Sequence, residues 1–309
     1  MHQERQGAFF LWQRFLHVEI FRKSEDLLQV DLFFQETSRE DRLKLELSIR
    51  DFTVKNAVLE RPRSNQGTIQ PLSLLFLHGR SIYLKEAKNL KKTMLEWGET
   101  VPCVSNGAAV PRPSLQDREH YADLLLELIA DVLQAEVFIL GERGIPSVEE
   151  YDRYFNEMYG DMCVLYSELR GRVPEYAYTQ GQQRSDSLFS RHSSIFIFQH
   201  RDGEGDGKGD LSIHGHLCDS FHEMALSLSV SPSSKPPYLI NRAEGNFLRF
   251  PNPVCGKAAV KLQELAGVHL HPENKKKILS ALTGPKGCSH LGDLALEAAK
   301  ALLELNKQG

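Results

Sequence analysis

An internal duplication is the feature that most constrains the fold of this chain. Residues 11–21 align without a gap with residues 188–198, and each stretch begins with Leu, an aromatic residue, a polar residue and Arg. Four further positions agree in type and spacing, namely His120, Asp123, Leu124 and Glu127 in the first half and His290, Asp293, Leu294 and Glu297 in the second. A unit that occurs twice in 309 residues predicts two structurally similar repeats.

The duplication also predicts the domain boundaries. We place the first repeat at residues 8–159 and the second at residues 188–305. The first repeat carries an insertion rich in Gly, Pro and Ser, and an extra helix at its end. Residues 160–187 are polar and are predicted to connect the two repeats. A length on the order of 150 residues is enough for each repeat to bury a core of its own.

Hydrophobic periodicity changes from strand-like to helix-like within each repeat. In the second repeat, Leu226, Leu228 and Val230 alternate with polar residues, which is typical of a half-buried strand. Residues 289–305 then carry an apolar stripe of helical period. Strands followed by a block of helices predict the α+β class. We therefore predict two tandem repeats, each an antiparallel sheet covered by helices on one face, and packing of the two repeats against each other within the chain.

Composition excludes several classes of protein. Charged residues make up 25% of the chain and the net charge is −4, which gives no electrostatic basis for binding nucleic acid. The apolar run at residues 8–12 is too short for a signal peptide, and no longer run predicts a membrane span. Five widely spaced cysteines do not form a disulfide framework. We predict a cytoplasmic protein that binds neither nucleic acid nor membrane, and that could form a homo-oligomer or bind a protein partner.

Two cysteines near predicted helix starts are peculiar to the second repeat. Cys255 precedes one helix, and Cys288 opens another in the sequence Gly-Cys-Ser-His at residues 287–290; the first repeat has Arg118 in place of Cys288. The unpaired amides and the positive end of a helix favour a thiolate, so we expect Cys288 to be more acidic than a free cysteine. Thiolate and imidazole are zinc ligands. The pattern predicts a metal site formed by Cys255, Cys288 and His290.

Other interpretations of these residues remain open. Cysteine is commonly a small buried residue, so Cys255 and Cys288 could be structural in a non-catalytic binding or assembly module. Cys288 could instead be the nucleophile of a thiol enzyme, with His290 as its base. No common hydrolase, nucleotide-binding or zinc-protease motif is present, and the Gly-rich residues 202–209 predict a hairpin tip. The sequence leaves open whether the protein is an enzyme and which cofactor it uses.

A second group of histidines lies around residues 214–222. His214, His216 and Cys218 alternate along one predicted strand and therefore share a face. We interpret that face as solvated, because the matching positions of the first repeat are Asp, Phe and Gln. Asp219 stands before a hydroxyl residue where the chain leaves the strand, which predicts a turn cap.

Three short motifs of the second repeat resemble those of a known family. The first is His-Arg-Asp-Gly at residues 200–203, which leads into a strand ending in Leu-Cys-Asp-Ser at residues 217–220. The second is residues 251–255, followed by a helix and Leu-Ala-Gly at residues 265–267, and the third is Gly-Cys-Ser-His-Leu at residues 287–291. Over residues 188–303 the chain resembles a bacterial family of domains of unknown function, whose last helix begins Gly-Cys-Thr-His-Leu. The resemblance implies no established activity.

The second repeat is also similar, more distantly, to the U-type iron–sulfur cluster scaffold fold. In that fold antiparallel strands precede a helix that begins at a cysteine, and a final Ala-rich helix begins at another. This similarity implies that Cys255 and Cys288 occupy ligand positions. It adds an iron–sulfur species or transferred sulfur to the metal ion as a possible occupant of the site.

Overall fold

A computed structural model describes most of the chain in atomic detail. The described residues are 8–63, 69–98, 103–105, 108–109, 112–145, 147–168, 186–200, 209–231 and 237–308. Most of the Gly-rich segment at residues 202–209, and most of the predicted connection at residues 160–187, lie outside these ranges.

The chain divides into two compact units. The unit that we call the N-terminal unit consists of residues 16–151 and 179–191. The C-terminal unit consists of residues 1–15, 152–178 and 192–309. These units are assembled from segments that differ from the sequence repeats, and the repeat boundaries remain a prediction.

The N-terminal unit contains an antiparallel sheet whose strands follow one another in chain order. Its helices are α1 (Ala87–Leu95) and α2 (Leu115–Ala135). Its strands are β1 (Ala8–Arg22, from residue 16 onward), β2 (Leu27–Glu36), β3 (Arg39–Ser48), β4 (Val54–Arg63), β5 (Ile69–Ser73), β6 (Val104–Ser105) and β7 (Ala108–Ala109).

The C-terminal unit contains a second antiparallel arrangement, with strand order β12-β11-β10-β9-β8. A 3₁₀ segment, Pro253–Leu265, follows the strand Tyr238–Arg249 in the chain. The strands are β8 (Ser187–His200, from residue 192 onward), β9 (Leu211–Asp219), β10 (Glu223–Ser231), β11 (Tyr238–Arg249) and β12 (His269–Leu270). The helices are α3 (Val148–Tyr159, from residue 152 onward), α4 (Val164–Glu168), α5 (Lys275–Leu282) and α6 (Ser289–Gln308).

Alternating burial explains how α6 packs on the sheet of the C-terminal unit. Every second residue of β9 and β10 is buried, and these positions join a core with the apolar stripe of α6. Gly215 lies beneath the helix, where a Cβ atom would come within 3.0 Å of the Leu294 side chain. The absence of a side chain at Gly215 therefore allows α6 to approach β9 closely.

The architecture confirms the predicted α+β class, since antiparallel strands are combined with helices in both units. The predicted helix at residues 289–305 is confirmed as α6. The helix predicted to follow Cys255 forms as a 3₁₀ segment that begins earlier, at Pro253, and therefore includes Cys255. No helix among the described residues combines the length and apolar character needed to cross a membrane.

Candidate metal centre

The turn between β9 and β10 is organised by a buried carboxylate. Oδ1 of Asp219 accepts hydrogen bonds from the backbone N–H groups of Phe221 and His222, both at 2.7 Å. The prediction that Asp219 caps a turn is therefore confirmed.

Arg249, at the end of β11, donates hydrogen bonds to backbone carbonyl groups of the same turn. One guanidinium nitrogen donates to the carbonyl oxygen of Ser220 at 3.0 Å. The other donates to the carbonyl oxygens of Asp219 at 2.6 Å and His222 at 3.3 Å. The turn is thus held at both its backbone N–H and carbonyl groups, and a positive charge lies beside it.

His290, the second residue of α6, points toward this turn. Its Nε2 lies 3.9 Å from Oδ2 of Asp219, and its ring centroid lies 4.3 Å from that of His222. Nδ1 of His222 lies 3.1 Å from Oδ1 and 3.3 Å from Oδ2 of the same carboxylate. Two imidazoles from different elements therefore lie beside one carboxylate group.

Asp219, His222 and His290 each offer one ligand atom, and these atoms all lie within 4.8 Å of one another. Within the part of the chain that the structure describes, no other trio of His, Cys, Asp or Glu residues has ligand atoms this close together. The side chains of Asp219 and His222 are 0% and 7% exposed, whereas that of His290 is 15% exposed. Solvent therefore reaches this cluster mainly from the side of His290.

The separations of Asp219 from the two histidines suit ligands of one ion. Two nitrogen or oxygen ligands at ~2.1 Å from a tetrahedral ion lie roughly 3.4 Å apart. The separations of 3.3 and 3.9 Å from Oδ2 of Asp219 bracket that value. The longer separation exceeds hydrogen-bond distance, and an ion lying between Asp219 and His290 could be coordinated by both side chains.

The N-terminal unit contains a related pair that is arranged differently. His120, near the start of α2, lies at 3.1 Å from the buried Asp41. Asp41 also pairs with Arg39 and with Arg61, at 3.3 Å in the latter case. Burial alone would raise the pKa of Asp41, but His120 and the two arginines outweigh it and lower that pKa below its usual value. Cations of the protein itself therefore neutralise this carboxylate.

The structure brings the two predicted cysteine ligands into one apolar core. Cys255 lies in the 3₁₀ segment, Cys288 lies directly before α6, and both are buried. Cys288 interacts electrostatically with Cys255 and also with Cys163. All five cysteines belong to the described residues, and none forms a disulfide. The predicted ligand set of Cys255, Cys288 and His290 remains a prediction.

The expectation that Cys288 is acidified by its helix is wrong. Burial raises the pKa of the Cys288 thiol far above its usual value. The backbone N–H groups of His290 and Leu291 bond to the sulfur and act in the opposite direction, but they do not offset the loss of water. A protonated, buried thiol is a poor nucleophile, so this geometry disfavours the interpretation of Cys288 as a catalytic nucleophile.

Alkylation of the native protein is expected to leave Cys288 largely unmodified. Because burial suppresses both the thiolate and access to it, iodoacetamide at pH 8 should label Cys288 at least about 100-fold more slowly than in denaturant. The half-buried Cys218 provides the internal reference. Peptide mass spectrometry after timed labelling measures both rates. Equal labelling of the two cysteines in the native protein would contradict the buried placement.

The histidines of β9 remain apart from the cluster. His214 is exposed, and His216 and Cys218 are half-buried, which confirms the predicted solvated face. His290 is a predicted ligand, whereas its grouping with Asp219 and His222 was not predicted. The available signal was an acidic residue and a histidine three positions apart across a predicted hairpin turn. Nothing in that spacing indicates that α6 crosses the same hairpin.

Part of the chain matches a known protein family. Residues 201–304 match the family model described as "Protein of unknown function (DUF2889)". The matched range, roughly the last third of the chain, contains the cluster and both Cys255 and Cys288, and it supports the predicted resemblance to a family of domains of unknown function. Searches of curated proteins and of solved structures find no significant match. Similarity to the iron–sulfur scaffold fold therefore remains a prediction.

Proposed function

We propose that the C-terminal unit binds one divalent transition-metal ion through Asp219, His222 and His290. The observation that carries the proposal is the convergence of three ligand atoms within 4.8 Å of one another around a buried carboxylate. The Asp219 side chain is 0% exposed, and imidazole nitrogens lie 3.3 and 3.9 Å from its Oδ2. A bound ion would share this carboxylate with the two imidazoles.

The donor set favours borderline metal ions over hard ones. Imidazole nitrogen suits Zn²⁺, Fe²⁺, Co²⁺, Ni²⁺ and Cu²⁺, whereas Mg²⁺ and Ca²⁺ prefer sites made of oxygen ligands alone. Two imidazoles and one carboxylate also occur as the protein ligands of zinc and non-haem iron sites. We therefore expect Zn²⁺ or Fe²⁺ to be the resident ion.

A second candidate is the ligand set of Cys255, Cys288 and His290, which would hold a metal ion, an iron–sulfur species or transferred sulfur. The packing favours it, because Cys255 and Cys288 are buried in one apolar core and the half-buried Cys163 packs against that core. The ligand atoms of Cys255, Cys288 and His290 do not all lie within 4.8 Å of one another, so this set would have to close around an ion. The two candidates share His290 and differ in their other ligands. Substitution of Cys288 therefore distinguishes them.

Metal analysis tests the proposal directly. The full chain, loaded with Zn²⁺ and freed of excess by gel filtration, is expected to retain one ion per chain. His222→Gln and His290→Gln should each weaken Zn²⁺ binding by at least about 100-fold, because each removes one of three ligands. Loss of a residue that only hydrogen-bonds to a ligand already weakens metal binding by up to about 100-fold. Competition with a chromophoric chelator measures the affinity, and circular dichroism checks that the variants fold.

Two matched variants serve as controls. His120→Gln removes the histidine that lies beside a buried carboxylate in the N-terminal unit and should leave Zn²⁺ binding unchanged. Cys288→Ala should also retain the ion if Asp219, His222 and His290 are the ligands. Loss of zinc in Cys288→Ala but not in His222→Gln would favour the cysteine set instead. Absence of metal binding by the wild-type chain would refute both.

A further inference from the structure

We propose that the ion keeps one coordination position open on the side of His290 and takes an anionic ligand from solution there. This inference rests on the metal site proposed above and concerns its reactivity. It makes the site one that binds and polarises an exogenous anion, such as a carboxylate or phosphate group, rather than a closed structural site.

The number of ligands leaves room for an exogenous group. Asp219 binds through one oxygen, because its Oδ1 accepts the two N–H groups of the turn. With one nitrogen from each histidine, the described residues supply three ligands to an ion that takes at least four. Structural zinc sites are closed by four protein ligands, and sites with three leave the fourth position to water or substrate.

Exposure of the cluster indicates where that position lies. The Asp219 side chain is sealed from solvent, and His222 is nearly so. His290 is the most exposed of the three and stands at the first turn of α6, which faces solvent more than the hairpin does. A ligand from solution would therefore approach beside His290.

The surroundings of the cluster favour a negative charge on that ligand. A divalent ion with one carboxylate and two neutral imidazoles keeps a surplus positive charge. The guanidinium of Arg249 adds a second positive charge, held against the carbonyl groups of the turn that carries Asp219 and His222. The positive end of α6 contributes in the same direction. An anion at the fourth position would neutralise part of this field.

Cobalt substitution provides the test. Co²⁺ has visible absorption bands that respond to its ligands, so the full chain loaded with Co²⁺ is titrated with azide as the anionic probe and with imidazole as a neutral one. We expect a saturable spectral change with azide, and an apparent affinity that falls as ionic strength rises. Co²⁺ spectra that azide leaves unchanged would overturn the open position while leaving the proposed metal site intact. Failure of Co²⁺ to bind would overturn both.

Arg249 variants test the role of the charge. Arg249→Met is expected to weaken azide binding several-fold relative to imidazole binding, and Arg249→Lys should recover most of the loss because it keeps the positive charge. Co²⁺ affinity, measured in the same samples, separates an electrostatic role from collapse of the turn. If Arg249→Met does not fold, the ionic-strength dependence of azide binding to the wild type tests whether positive charge near the site strengthens azide binding. Equal azide affinity in Arg249→Lys and Arg249→Met, or no salt dependence, would refute the contribution of Arg249.

Discussion

Replacing Gly287 with alanine is expected to lower the free energy of unfolding of the C-terminal unit by about 3 kcal/mol or more. A Cβ atom on Gly287 would lie 2.0 Å from the carbonyl oxygen of Leu282 and 2.8 Å from the carbonyl carbon of Thr283. That oxygen cannot move aside easily, because it accepts the N–H of Cys288 at 2.7 Å. The clash therefore distorts the turn from which α6, and with it His290, is positioned. Urea denaturation of the full chain measures the loss.

Gly256→Ala is the matched control for this prediction. Gly256 lies in the 3₁₀ segment of the same unit, and a Cβ atom there would meet only the ring of Phe250, at 3.8 Å and beyond. That is ordinary van der Waals contact, so the cost should stay below about 1 kcal/mol. Equal destabilisation by the two substitutions would show that the turn at residues 282–288 is not built as described.

The fold was predictable where a single element carries its own pattern. Alternation of Leu226, Leu228 and Val230 is sufficient to identify β10, and the apolar stripe of α6 is sufficient to identify a helix from residue 289 onward. These patterns reflect local burial of one face. The composition of the compact units was not predictable, because the placement of residues 8–15 with the C-terminal unit depends on contacts between distant segments.

The candidate site was predictable only in part for the same reason. His290 stood out because of its place at a helix start. Its partners Asp219 and His222 lie about 70 residues earlier, and they meet His290 only because α6 docks on β9 through Gly215. Comparison of the two halves drew attention to Cys288, since the cysteine is missing from the first half. Burial, which decides the pKa of that thiol, is a tertiary property.

The two units show how similar local arrangements can differ in chemistry. Each places a buried carboxylate beside a histidine near the start of a long helix. Asp41 forms ion pairs with two arginines and lies 3.1 Å from a histidine, so its negative charge is already neutralised without an external cation. Asp219 receives a second histidine instead, and His290 stands at 3.9 Å. The two histidines beside Asp219 are the donor set on which the proposed metal site rests.

Acid is expected to destabilise the C-terminal unit through Glu297 on α6. Glu297 receives Arg14 at 2.9 Å and Lys300 at 2.8 Å. Burial alone would raise its pKa, but the two cations outweigh it and lower the pKa from an ordinary 4.5 to about 2. A folded-state pKa below the unfolded one contributes stability that is present above pH ~5 and is lost as the pH falls toward 2. At about 1.4 kcal/mol per pKa unit the full difference corresponds to about 3 kcal/mol, and solvent screening of the 19% exposed Glu297 side chain reduces it to about 2 to 3 kcal/mol.

Glu297→Gln should therefore be about 2 to 3 kcal/mol less stable than the wild type at pH 7, and the gap should close as the pH approaches 2. Urea denaturation across this pH range measures the gap. Glu304→Gln is the control on the same helix, because among the described residues Glu304 pairs with the half-exposed Lys307 and such a pair contributes less than about 1 kcal/mol. A gap for Glu297→Gln that stays constant with pH would mean that its effect comes from packing rather than from the charge that Arg14 and Lys300 stabilise.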